Sequence, residues 1–204
     1  MARITNETKL ATRAALLEAA AEEISREGRD GANINRISRA AGFAQGTVYN
    51  YFDSKDDLFF AVVEEACIRV AASADAIPST ASTRDRLMAV VEADVDWARD
   101  NEAFARVLVR EALTADIDVY AHIVQAAAPF MEKVATILVD GVQRGEIDNE
   151  VGVDQLTLTL VGLTLLMLSQ HWRAGGGWPT LDEIPNFVVN LILDGVGRRE
   201  RAHP

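Results

Sequence analysis

Asn33-Ile-Asn-Arg-Ile-Ser-Arg-Ala-Ala-Gly-Phe-Ala-Gln-Gly-Thr-Val-Tyr-Asn-Tyr-Phe-Asp-Ser-Lys55 decides how the chain is read. Helical spacing of its apolar residues predicts a short helix over Ile34–Ala40 and a second over roughly Gln45–Tyr51, with Ala41-Gly42-Phe43-Ala44 as the turn. Helices this short are not stable alone, because nucleation is costly. They must pack on each other and on a preceding helix, and Ile34, Ile37, Ala41, Phe43 and Val48 are the residues that can supply the shared core. Gly42 suits a turn that needs a positive φ and a close crossing. Asn33 is placed to cap the first helix. Such a crossing leaves the second helix on an outer edge, shaped to enter a DNA major groove.

The exposed side of that second helix carries Gln45, Thr47 and Asn50, with Gly46 permitting close approach. Gln and Asn match the adenine edge, and threonine offers a hydroxyl and a methyl, so these three are the candidate base contacts. Asn35, on the preceding helix, is a second-rank base contact. Tyr49, Tyr51, Lys55 and Arg36 are candidate phosphate contacts, which position a helix without specifying bases. Phe52 reads as core. Spacing alone leaves open a packed three-helix unit in some other all-α protein, with Tyr49 and Tyr51 in its core.

Outward from this stretch almost everything reads as helix. Lys9–Glu27 puts Leu10, Ala14, Leu17, Ala20 and Ile24 on one face, and Gly28 stops it. Ser54 caps a helix that opens Lys55-Asp56-Asp57, where the dipole favours acids. The Pro- and Ser/Thr-rich segment 74–83 is a loop, with Thr83 expected to cap Arg84–Arg99. Further helices are expected over Glu102–Leu113, Asp116–Gly145 (kinked or broken at Pro129), Gly152–Arg173 and Leu181–Arg201. The expected fold is all-α with about nine helices: a helix-turn-helix DNA-binding domain over 1–53, and a helical regulatory and dimerisation domain over 54–204, connected by helix 55–73.

The chain has 204 residues and a net charge of -11, which at first sight argues against nucleic acid. The charge is unevenly spread: residues 1–52 carry +1 and residues 53–204 carry -12. A near-neutral head can still bind DNA if its few cations are well placed. The single cysteine, Cys67, excludes a disulfide framework and reads as a buried small hydrophobe. His122, His171 and His203 lack metal-ligand spacing, and no nucleophile motif or phosphate loop occurs, so no enzyme, metal or cofactor is expected. The N-terminus has no signal-peptide core, and Leu156–Met167 reads as too short and broken to span a bilayer. The cytoplasm, away from any membrane, is the expected location.

The run Ile37-Ser-x-Ala-Ala-Gly-Phe-Ala-x-Gly46-Thr-Val-Tyr49-x-Tyr-Phe52-x-Ser-Lys55-x-x-Leu58 resembles the DNA-binding domain of TetR-family transcriptional regulators, over about Thr8–Val63. The resemblance implies a homodimeric repressor of nine or ten helices whose C-terminal domain binds a small inducer. It assigns Gln45 and Thr47 to bases and Tyr49, Tyr51 and Lys55 to backbone. Ala44 stands where the family often has serine, which removes one capping or phosphate bond. The expected partners are a near-palindromic double-stranded operator, a second copy of the chain and a small-molecule effector of unknown identity. The alternative is a DNA-binding protein without an inducer, acting as a constitutive repressor or architectural factor.

In the C-terminal part, Val151–Gln170 is apolar nearly all round and needs cover on more than one side. Leu156, Leu160, Leu163 and Met167, with Phe187, Leu191 and Ile192 on the last helix, form the expected dimer interface. For an effector pocket the candidates are Trp97, Phe104, Arg106, Arg110, Met131, Met167 and His171. Arg106 and Arg110 can meet an anion, although a salt bridge from Arg110 to an acid such as Asp94 or one near Glu111 is the plainer use. His171 is expected to cap or pack beside the Gly-rich turn 175–179.

Overall fold

The computed structural model describes residues 6–75, 80–114, 116–148 and 150–195. Among them the chain forms eight α-helices and two short 3₁₀ segments, and no strand. The helices are α1 (Asn6–Gly31), α2 (Ile34–Ala40), α3 (Lys55–Ser73), α4 (Thr83–Asp100), α5 (Glu102–Ala112), α6 (Ile117–Gln143), α7 (Val153–Arg173) and α8 (Ile184–Asp194). The 3₁₀ segments are Gln45–Asn50 and Leu181–Glu183. The all-α expectation therefore holds. By contacts the chain divides into a first unit, 1–72 with 97–128, and a second, 73–96 with 129–204.

In the first unit α1 presents Leu16, Leu17, Ala20, Ala21 and Ile24 to the core. Gly28 leaves helical geometry at φ 77°, ψ 171°, which is where the regular helix was expected to stop. Asn33 caps α2 as expected: its Oδ1 accepts from the Asn35 and Arg36 amides at 2.9 and 3.3 Å. Ile37 and Val48 are fully covered, as is Phe52, whereas Ile34, Ala41 and Phe43 are half-buried. Gly42 has φ 81°, a conformation that side chains disfavour. Ser54 Oγ accepts from the Asp57 amide and Asp57 Oδ2 accepts from the Asp53 amide, a reciprocal cap that starts α3. Cys67 is buried, and burial, with the Glu64 charge added, pushes its thiol up to about 12, which leaves it unreactive.

In the second unit the cap of α4 lies one residue earlier than expected. Ser82 Oγ accepts from the Asp85 amide at 3.1 Å, and Thr83 is the first helical residue. Helix α6 runs uninterrupted through Pro129. Glu146 accepts from the Thr83 amide at 2.6 Å, and Arg86 pairs with Asp140 at 2.8 Å. The last helix ends at Asp194; the expected continuation over 196–201 lies outside the described residues.

Helix α7 starts one residue later than expected and ends where expected, at Arg173, and it runs unbroken between them. It has the length and composition of a membrane span, with a mean hydropathy of 1.3 over its most apolar window, of which 28% is buried. The threonines do not interrupt it because Thr159 and Thr164 hydroxyls donate to the Gln155 and Leu160 carbonyls four residues back. Leu160, Met167 and Leu168 are covered within the unit, while Leu158 and Leu166 are 58% and 51% exposed.

Candidate nucleic-acid interface

The reading segment is a 3₁₀ helix, Gln45–Asn50, and not the α-helix expected from its spacing. Its entry residue, Ala44, has no side-chain oxygen, so no side-chain cap starts it. At the other end the Tyr51 and Phe52 amides both donate to the Val48 carbonyl at 3.0 Å. Ser38 Oγ donates to the Gln45 carbonyl at 3.3 Å and so ties the segment to α2. Only Val48 is fully inward.

That leaves Gln45, Gly46, Tyr49 and Asn50 exposed on one outer edge, with Thr47 half-buried beside them. Tyr49 is 57% exposed and Tyr51 half-buried, which removes them from the core. Asn35 is exposed on α2. Lys55 already donates to the Asp30 carbonyl at 2.6 Å, but an ammonium has two further donors. Arg36 is more committed: its Nε donates to Glu23 at 2.6 Å, and its guanidinium also approaches Glu27 and the Gly31 carbonyl.

Glu23 is the residue that sequence reasoning passed over. It is 2% exposed, accepts from Arg36 and from the Asn33 amide at 3.1 Å, and pairs with Arg26 at 3.1 Å. Burial works to raise its carboxyl, but the Arg36, Asn33 and Arg26 hydrogen bonds and the Arg36 charge outweigh that and hold it below its ordinary value. One carboxylate thus joins α1 to the cap and first turn of α2. The signal was available: Glu23 follows Leu16 and Ala20 at helical spacing, an acid on the apolar face.

The expected pocket residues are divided between the two units. Trp97, Phe104, Arg106 and Arg110 belong to the first unit, and Met131, Met167 and His171 to the second. Arg106 pairs with Glu102 at 2.6 Å. Arg110 pairs with Glu111 itself at 2.8 Å, and not with Asp94, and it donates to the Ile24 and Ser25 carbonyls of α1. Phe104 lies under the Arg69 guanidinium, 4.2 Å from it, and Trp97 Nε1 is buried without a partner. His171 Nδ1 donates to the Pro179 carbonyl at 2.8 Å, the packing expected beside the Gly-rich turn. No cluster of His, Cys, Asp and Glu able to hold a metal occurs among the described residues.

A short 3₁₀ segment packed on α2, which Asn33 caps and which itself packs on α1, with an exposed polar edge, defines a helix-turn-helix DNA-binding protein. Residues 16–62 match the bacterial regulatory proteins of the tetR family, and residues 80–196 match the tetracyclin repressor-like C-terminal domain. The chain belongs to the TetR family of transcriptional regulators. It is similar to the fatty acid metabolism regulator protein of Bacillus subtilis, with 22% identity over 89% of this chain and 93% of that protein. It is also 24% identical to the HTH-type transcriptional regulator SrpR of Pseudomonas putida, over 93% of this chain and 94% of that one. Among solved structures, FadR from Bacillus subtilis in complex with stearoyl-CoA superposes with a TM-score of 0.81 at 21% identity, covering 90% of this chain and 99% of the other. FadR from Bacillus halodurans gives 0.83 at 19% identity, covering 92% and 97%.

Proposed function

We propose that the protein is a homodimeric repressor that occupies a near-palindromic operator and is released from it by a small molecule. The observation that carries this reading is the exposed polar edge of the 3₁₀ segment in a chain of the TetR family. Gln45, Thr47 and Asn50, with Asn35 second, are the base contacts in this reading; Tyr49, Tyr51, Lys55 and Arg36 hold the backbone. Base reading ends near residue 53, and 54–204 supplies dimerisation and control. Repression by occlusion needs no second function, and an effector that favours the free protein must, by linkage, bind less well to the operator complex.

The dimer face is the side of α7 and α8 that the second unit leaves open. Leu158, Leu166 and Phe187 are exposed there, and Leu156, Leu163, Leu191 and Ile192 are half-covered. Leu160 and Met167 contribute from beneath, as core. A second copy would cover the apolar surface of α7 without any membrane, in keeping with work on cytoplasmic DNA. The FadR structure was solved with stearoyl-CoA, so a long-chain acyl-CoA is the first effector to titrate.

Selection of bound fragments from genomic DNA tests the reading. The expected product is a two-fold-related pair of half-sites. Gln45→Ala should then change the preferred bases, and Tyr49→Ala should weaken binding to all sequences alike. No enrichment by a folded dimer would refute the DNA-binding role, and indifference of the complex to every acyl-CoA would refute that effector class alone.

A further inference from the structure

Beside the reading segment the first unit has a cleft of about 700 Å³, with Lys9, Leu10 and Arg13 of α1 on one wall and Thr47, Asn50 and Tyr51 on the other. No carboxylate lines it, in a chain with a net charge of -11. Lys9 is exposed and makes no ion pair among the described residues. The Arg13 guanidinium lies over the buried Phe52 ring, 5.5 Å from its centre, and this stacking restrains a cation that no acid pairs with among the described residues. Leu10 is 63% exposed on the same wall.

We propose that this cleft takes a sugar-phosphate segment of the operator strand that borders the groove, with Lys9 and Arg13 as phosphate contacts and Leu10 against deoxyribose. The proposal rests on the reading segment lying in the major groove. A helix in a groove about 12 Å wide is flanked by backbone on either side. The cleft shares Thr47, Asn50 and Tyr51 with the reading edge, so the backbone next to the bases they meet passes along the α1 wall. A phosphate there finds two cations and no acid to repel it. Residues near the start of α1 thereby become part of the DNA interface, which the motif residues alone do not include.

The test uses the full-length dimer and a duplex selected by the wild-type protein from a random-sequence library. Binding is measured against salt for wild type, Lys9→Ala, Arg13→Gln and Arg13→Lys. Each lost phosphate contact should reduce the slope of log K on log salt by about 0.9 per head, about 1.8 for the dimer. Base preference should stay unchanged, and Arg13→Lys should recover the slope. Wild-type slopes in folded Lys9→Ala and Arg13→Gln would overturn the proposal while leaving the reading segment's role intact. A changed base preference would overturn it too, because the cleft would then read bases. If Arg13→Gln loses its packing on Phe52 and unfolds, the exposed Lys9 variant decides alone. A wild-type protein that selects no duplex would sink this proposal together with the DNA-binding reading, an outcome separate from the others.

Discussion

Asp94 is an acid in the wrong place for stability, and replacing it with asparagine should strengthen the protein at neutral pH. It is 7% exposed on α4, between the buried Val90, Val91 and Val95, and no hydrogen bond or ion pair reaches it among the described residues. Burial alone pushes its carboxyl up from 3.8 to about 7. The folded state therefore holds a proton that the unfolded state releases, so stability falls as pH rises from about 4 to about 7 and levels off above that. At 1.36 kcal/mol per unit, the cost is about 2 kcal/mol at pH 5.5 and about 4 kcal/mol at pH 8. Asparagine keeps the volume and leaves an unpaired polar group comparable to the protonated acid, so the ionisation cost is the part it removes. Denaturant unfolding of wild type and Asp94→Asn across pH 4–8 should give curves that meet at the acid end. They should diverge by at most about 4 kcal/mol at pH 8, a large share of a typical total stability. Parallel curves, or a variant less stable at pH 8, would refute the reasoning, because the carboxylate would then be stabilised by a partner.

Glu23→Gln should act in the opposite direction, costing about 1–3 kcal/mol because it weakens the charge-assisted hydrogen bonds to Arg36, Arg26 and the Asn33 amide, while the half-exposed Arg36 guanidinium stays solvated. Since the Glu23 carboxyl is held below its ordinary value, its contribution is present above the unfolded pKa and is lost as pH falls through the folded one. Urea unfolding at pH 7 and pH 3 should show the variant's deficit shrinking in acid, and an equal deficit at both would count against the ion pair. Gly42→Ala places a Cβ at φ 81° in open space, so strain alone should cost about 1–2 kcal/mol, measured as a lowered unfolding midpoint; an unchanged midpoint would show the turn relaxing. Leu166→Asp, on the exposed side of α7, should convert the dimer to monomer in sedimentation and weaken operator binding, whereas a persistent dimer would move the interface elsewhere.

The elements were legible in the sequence where local chemistry acts alone. Asn33 and Ser54 cap from their own side chains, Gly28 and Gly42 mark positive φ, and α2 begins and ends where apolar spacing puts it. The 3₁₀ winding of Gln45–Asn50 was not legible, since apolar spacing over six residues hardly separates three from 3.6 per turn. Long-range partners were the other blind spot. Nothing in the sequence of α2 foretells that Arg36 meets Glu23 of α1, and the ion pair expected of Arg110 gives no hint that it also reaches the carbonyls of Ile24 and Ser25. The body residues share a property that explains why they were hard to rank. A polar group among apolar ones marks an internal bond as readily as a ligand contact, and only packing separates the two.

Those long-range partners converge on α1 from its midpoint onward. Arg36 of α2 reaches Glu23, Lys55 at the start of α3 reaches Asp30, Arg69 of α3 reaches Glu18, and Arg110 of α5 reaches Ile24 and Ser25. Arg29 itself extends to Asp56 on α3 and Asp116 at the start of α6, stacked over Phe59 and Phe60. The proposed base contacts end near residue 53, but the compact unit that holds them extends further, since α5 and the first part of α6 belong to it. A regulator whose head ended at residue 53 would have only α3 through which to move it. Here α1 is gripped by α3, by α5 and by the start of α6, and it carries both the Glu23 anchor of α2 and the cationic wall of the cleft proposed for phosphate. In the proposed function, a change in α5 or early α6 would have these charged contacts through which to displace α1, and with it the proposed base and backbone contacts together.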